Sequence, residues 1–179
     1  MKILLSPAKA IDISKKLNSS KSSIPEFLPE AESLIKKLRN FTPKKIGKLM
    51  TLSKDLANLN YQRYQEWDSI ISKNESNAHV AAAFNGEVYK GLDAPSLTEK
   101  ELLLAQENIC ILSGLYGILK PLDIIYPYRL EMGTNWAVTP SKTNLYKFWG
   151  TKIAEKINAD NHDGLIVNLA SSEYFKAVD

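Results

Sequence analysis

Cysteine is almost absent: Cys110 is the one thiol in 179 residues, which excludes an intramolecular disulfide and suits a reducing compartment. No apolar run approaches the roughly 20 residues that a membrane helix needs, and the N-terminus has neither the charged nor the apolar region of a signal peptide. A cytoplasmic protein is expected. His79 and His162 stand far apart, and neither they nor Cys110 has the spacing of a zinc or haem site, so no metal and no cofactor are expected. Cys110 sits in an apolar run and reads as a buried structural thiol. Walker, GxGxxG and GxSxG patterns are missing, and the GLYG at residues 114–117 matches none of them. Neither sign of charge dominates: 23 basic and 20 acidic residues leave a formal net charge of +3. Any nucleic-acid surface must therefore come from local clustering.

What is present fits one core. With 44% hydrophobic residues over 179 positions, residues 1–179 read as a single compact domain. Apolar runs at residues 1–5, 109–112 and 165–169 read as buried strands. Between them Ala31, Leu34, Ile35 and Leu38 recur at helical spacing, with Lys36, Lys37 and Arg39 on the other face. Leu145, Phe148, Trp149, Ile153 and Ile157 recur in the same way as a stripe of core residues. Ser96 and Glu99 form a capping-box pattern before a helix running to about Glu107. His79 to Phe84 fits strand or helix, and Gly86, Val88, Tyr89 and Gly91 favour a bent strand. Residues 18–23 and 74–77 read as polar loops. The alternation predicts an α/β (or α+β) fold with a central mixed sheet.

Thr42-Pro43 gives an N-cap followed by proline at the first helical position. Lys44, Lys45 and Lys48 crowd that helix's opening turns against the positive end of its dipole, a local cost that suggests an anionic partner. Leu56-Ala57-Asn58-Leu59-Asn60 reads as a tight turn before a second helix carrying Tyr61, Arg63, Tyr64 and Trp67. Over residues 42–70 this resembles a helix-hairpin-helix element, which grips DNA through main-chain N–H groups. Asn58 and Asn60 stand where such hairpins use glycine; asparagine tolerates the left-handed conformation. A plain αα-hairpin explains the same residues.

The apolar strands end in polar residues at Ser6, Ser113 and Asn168, and neighbouring strands of one sheet would bring those ends to one cleft. Lys9 there is either an anion ligand or an ordinary solvated lysine. Tyr126, Tyr128, Arg129 and Glu131, punctuated by Pro127, follow the strand at 109–112.

Six blocks then stand in order: Ser6-Pro7-Ala8-Lys9, Phe84-Asn85-Gly86-Glu87-Val88-Tyr89-Lys90-Gly91-Leu92, Leu112-Ser113-Gly114-Leu115-Tyr116-Gly117-Ile118-Leu119-Lys120-Pro121-Leu122-Asp123, Pro127-Tyr128-Arg129-Leu130-Glu131-Met132-Gly133, Phe148-Trp149-Gly150 and Asn168-Leu169-Ala170-Ser171-Ser172-Glu173-Tyr174-Phe175. Together they resemble the YaaA family of bacterial peroxide-stress proteins from the first residue to the last. The resemblance implies a cytoplasmic protein that binds DNA, helps cells survive hydrogen peroxide and limits the iron that damages DNA. It raises Ser6 and Lys9 above the solvated reading and the hairpin above a plain one. Family chains continue through further strands and helices, so this chain is expected to be truncated and to lack the family's C-terminal part, and with it part of the sheet.

Two functions from different classes follow. In the first, the chain binds double-stranded or damaged DNA through the backbone: Lys44, Lys45, Lys48, Lys54 and Arg63 supply charge, and N–H groups near Asn58 and Asn60 cradle a phosphate. In the second, Ser6, Lys9, Ser113, Tyr116, Arg129, Glu131, Asn168 and Glu173 form an enzyme site for a nucleotide or damaged base. Arg129 then holds a phosphate, and Glu131 acts as a base or oxocarbenium stabiliser. The same residues also suit a buried polar network that only fixes the fold.

Overall fold

Unbroken apolar sequence forms the strands that organise the molecule. A computed structural model describes residues 1–17, 19–70 and 76–179, so Asn18 and residues 74–75 of the two expected polar loops lie outside the described residues. The chain runs through β1 (Lys2–Leu5), β2 (Ala10–Ile11), α1 (Leu28–Leu38), α2 (Pro43–Met50), α3 (Lys54–Glu66), β3 (Ala78–His79), α4 (Val80–Ala83), β4 (Phe84–Asn85) and α5 (Glu87–Leu92). A 3-10 turn at Ala94–Ser96 leads to α6 (Glu99–Asn108), β5 (Ile109–Ser113), β6 (Gly117–Leu119), β7 (Ile124–Ile125), α7 (Leu145–Trp149), α8 (Lys152–Asp160), β8 (Ile166–Asn168) and α9 (Ser172–Phe175).

The principal sheet has the order β6-β5-β1-β8. β1 is parallel to both β5 and β8, and β5 is antiparallel to β6, so the sheet is mixed and the fold is α/β. Parallel pairing places the C-terminal ends of β1, β5 and β8 on one edge, where Ser6, Ser113 and Asn168 are found. Cys110, Ile111 and Leu112 of β5 are buried, as a strand covered on both faces should be. Burial raises the Cys110 thiol above its ordinary range, so its inert protonated form is favoured.

Two glycines hold the edge together. Gly117 has φ +71, and a Cβ there would lie 2.7 Å from the Trp149 ring. A Cβ on Gly114 would come within 2.4 Å of the Leu130 carbonyl oxygen. Gly114 thus lets the backbone bearing Arg129 and Glu131 lie against the end of β5. The core around these contacts includes Tyr64, Tyr116, Trp149, Leu34, Ile35 and Leu38, all buried.

Several local expectations give way to tertiary context. The strand expected after Gly86 is α5, with Asp93 at φ 41 ending it in the left-handed conformation. The capping box is built by Thr98 and Glu101 rather than Ser96 and Glu99, because Ser96 belongs to the preceding 3-10 turn. Gly150, at φ +54, divides the expected 145–157 helix into α7 and α8. β8 is not buried: it is an edge strand, with Ile166 39% exposed and its neighbour Leu165 54% exposed.

Candidate functional site

The α2–α3 hairpin forms as residues 42–70 predict, but its turn lies earlier. α2 starts on Thr42, whose hydroxyl accepts the Lys45 N–H at 3.3 Å, with Pro43 in the first turn. It ends on Thr51, held in the left-handed conformation at φ 52 and ψ 51, while the Leu52 N–H closes back on the Gly47 carbonyl at 2.9 Å. Ser53 then caps α3 by accepting the Leu56 N–H at 3.3 Å. The turn is therefore Thr51-Leu52-Ser53, and the expected turn at residues 56–60 is helix. Asn tolerance of positive φ made that stretch a plausible reversal, yet a β-branched threonine makes it instead. Gly47 permits close packing, since a Cβ there would sit 3.2 Å from that of Ala57.

With the turn at residues 51–53, the expected phosphate cradle near Asn58 and Asn60 lies within α3. Asn60 is buried and its amide donates to the Leu56 carbonyl at 2.8 Å, the ordinary behaviour of a polar residue inside a helix. Asn58 is exposed on α3. Arg63 leans back onto Asn60 Oδ1 at 3.4 Å, half-buried, and desolvation lowers its pKa from the usual arginine value. The lysines behave differently. A groove of about 890 Å³ runs between the two helices, lined by Lys44, Lys48, Lys54 and Asn58 with Gly47, Leu52 and Ala57. Lys44, Lys48 and Lys54 are exposed and meet no carboxylate among the described residues. Lys45 is exposed too, with its ammonium 3.5 Å from the centre of the Phe41 ring.

Arg39 is a structural clamp that the sequence concealed. Assigned by periodicity to a solvated face, it donates instead to the carbonyls of Tyr64, at 2.8 Å, and Trp67. A cation there satisfies the orphan carbonyls and complements the dipole at the C-terminal end of α3. No local pattern could reveal a partner 25 residues away.

At the strand edge the predicted residues are brought near one another but interlock in separate clusters. Arg129 pairs with Glu131, and Lys9 approaches the same carboxylate at 3.7 Å. A second guanidinium nitrogen of Arg129 donates to the Lys9 carbonyl at 3.3 Å, while its Nε is buried without a partner among the described residues. Ser6 accepts the Ser171 N–H at 2.9 Å. Ser113 and Tyr128 share a hydrogen bond of 2.6 Å, and Ser113 also accepts the Tyr116 N–H at 3.0 Å. The Tyr116 hydroxyl accepts from the Trp67 indole at 2.8 Å, and burial pushes both Tyr116 and Tyr128 above the usual phenol range. Glu173 accepts the Gly133 N–H at 2.8 Å. Asn168 turns to a different cavity, beside α8 and α9.

The eight residues thus do not line one open cleft. The space beside Lys9, Arg129 and Glu131 is about 20 Å³, room for a single water and far below the roughly 300 Å³ or more of a small-molecule site. Among the described residues no group of three or more His, Cys, Asp or Glu is placed to hold a metal ion, and no helix is long and apolar enough to cross a membrane.

Comparison with known proteins adds the following. The family model described as Peroxide stress protein YaaA matches residues 1–179. A UPF0246 protein of Albidiferax ferrireducens is 48% identical over 183 residues, spanning 100% of this chain and 70% of the relative. One from a Polaromonas species is 50% identical over 182 residues, again 100% of this chain and 70% of the relative. One from a Marinomonas species is 48% identical over 180 residues, with 100% and 68% covered.

Proposed function

The chain belongs to the YaaA family of peroxide stress proteins, and from that premise we propose that it is a cytoplasmic DNA-binding protein of the response to hydrogen peroxide. Its partner is double-stranded or damaged DNA, held by the phosphate backbone, and its role is to limit iron-dependent damage to that DNA. One observation carries the reading: Lys44, Lys48 and Lys54 stand exposed around the groove of the α2–α3 hairpin, without acidic partners among the described residues. Cations left unneutralised on a rigid helix pair are available to phosphates, and such contacts supply affinity without reading bases.

The lysines carry this contact more than the helix terminus does. Ser53 already satisfies one N–H of α3, and Asp55 places a negative charge in the same first turn. The alternative, an enzyme acting on a nucleotide with Arg129 and Glu131, has no supporting observation of comparable weight, since the space beside them is about 20 Å³.

The test is charge reversal. Lys44→Glu/Lys48→Glu/Lys54→Glu should weaken binding to a fluorescent duplex by about 100-fold, because each reversal replaces a phosphate contact with repulsion. Thermal stability should stay near that of the wild type. Unchanged affinity in the folded triple variant would remove the hairpin from the account.

A further inference from the structure

The outer edge of β8 is the least finished surface of the sheet. β8 pairs with β1 and with no other described strand. Lys2 N–H donates to the Leu165 carbonyl and Leu169 N–H to the Leu4 carbonyl, each at 2.9 Å. In a parallel ladder these bonds turn the backbone groups of residues 165, 167 and 169 toward β1. Ile166 and Asn168 therefore present their N–H and C=O groups outward.

Apolar surface borders that edge on both faces of the sheet. Leu165 is 54% exposed, Ile166 39% and Leu169 63%. Alternation puts Leu165 and Leu169 on the face opposite Ile166. On the Ile166 side a cavity of about 240 Å³ is lined by Leu4, Ile157, Ile166, Phe175 and Val178. Edges that face water are usually blunted by lysine, proline or a bulge. Residues 165–169, Leu-Ile-Val-Asn-Leu, carry neither lysine nor proline.

We propose that this edge, with Leu165, Leu169 and the cavity beside Ile166, is a docking surface for an extended polypeptide, and that its occupant is the part of the family's chain that lies outside the match. The relatives supply the argument for that occupant: they match this chain along its whole length, yet the match covers only 70% of the Polaromonas protein. A β-strand added at β8 takes up the outward backbone groups of Ile166 and Asn168, and a chain continuing past it covers the leucines and fills the cavity. Two copies pairing β8 to β8 would share a ladder only three residues long and leave the cavity open.

The probe is a polypeptide comprising the portion of the Polaromonas relative outside its 182 matched residues, mixed with this chain. Amide hydrogen exchange at Ile166 and Asn168 should slow by about 100-fold on mixing. Ile166→Pro removes an outward donor and spares the β1–β8 bonds, so it should abolish the protection at the Asn168 amide while the chain stays folded. The same polypeptide fused to this chain in the relative's order should protect both amides in every molecule. Unaltered exchange in the fused, folded chain overturns the proposal. So does protection of these amides in the unmixed chain together with a doubled molecular mass, which assigns the edge to a second copy.

Discussion

The α2–α3 hairpin and the strand-edge cluster are both rich in polar residues, and they use them in opposite ways. At the strand edge nearly every polar group has a partner within the chain: Ser113 with Tyr128, Tyr116 with Trp67, Glu173 with Gly133, Glu131 with Arg129 and Lys9. On the hairpin, Lys44, Lys48 and Lys54 surround a groove and meet no acidic group among the described residues. A satisfied buried network fixes conformation and is costly to break. Unpaired surface charge adds little to stability and remains free for a partner. The strand edge thus serves the fold, and the hairpin is the region to which the proposed DNA contact is given.

The regions are also mechanically joined, because the Tyr64 hydroxyl at the end of α3 donates to the Arg129 carbonyl. α3 thereby reaches from the groove to the strand edge, and its far end is clamped by Arg39.

Substitutions can break or sharpen this division. The largest effect is expected at Gly114, where a methyl group would sit 2.4 Å from the Leu130 carbonyl oxygen. Gly114→Ala must displace backbone, and a loss of about 3 kcal/mol in chemical denaturation is expected. A loss under about 0.5 kcal/mol, the usual range for an inconsequential surface change, would show that the strand edge is loosely held. Next comes Trp67→Phe, which removes the indole donor from buried Tyr116 and should cost about 2 kcal/mol. In both folded variants the lysine rim is intact, so DNA affinity per folded molecule should be that of the wild type. A parallel loss of affinity would mean that the two regions are not separable.

A smaller effect of opposite sign is expected on the hairpin. Thr51 holds φ 52 and ψ 51, a conformation that penalises a β-branched side chain. Thr51→Gly should therefore raise stability by about 1 kcal/mol, since glycine adopts that region without a Cβ penalty. A destabilised variant would show that the threonine side chain makes a compensating contact in the groove.

Much of this was legible in the residues, and the failures share a cause. β1, β5, α1 and the Thr42-Pro43 start of α2 were readable because each rests on a local signal: a continuous apolar run, a 3.6-residue period, a cap followed by proline. The polar ends of β1, β5 and β8 do share one edge, as neighbouring parallel strands require. What could not be read depended on distant partners. Arg39 looked solvated because its acceptors lie 25 to 28 residues away. Ser113 and Tyr116 looked like cleft residues because nothing local reveals Tyr128 and Trp67 closing over them. The hairpin turn was displaced because asparagine is the commoner left-handed residue, whereas here the chain puts Thr51 in that conformation.

The salt dependence of duplex binding tests the central claim most directly. If Lys44, Lys48 and Lys54 each neutralise a phosphate, log affinity should fall against log salt with a slope of about −3, and the slope should collapse in the charge-reversed triple variant. A flat salt response of the wild-type chain, or the same slope in wild type and variant, would contradict the assignment of recognition to the hairpin.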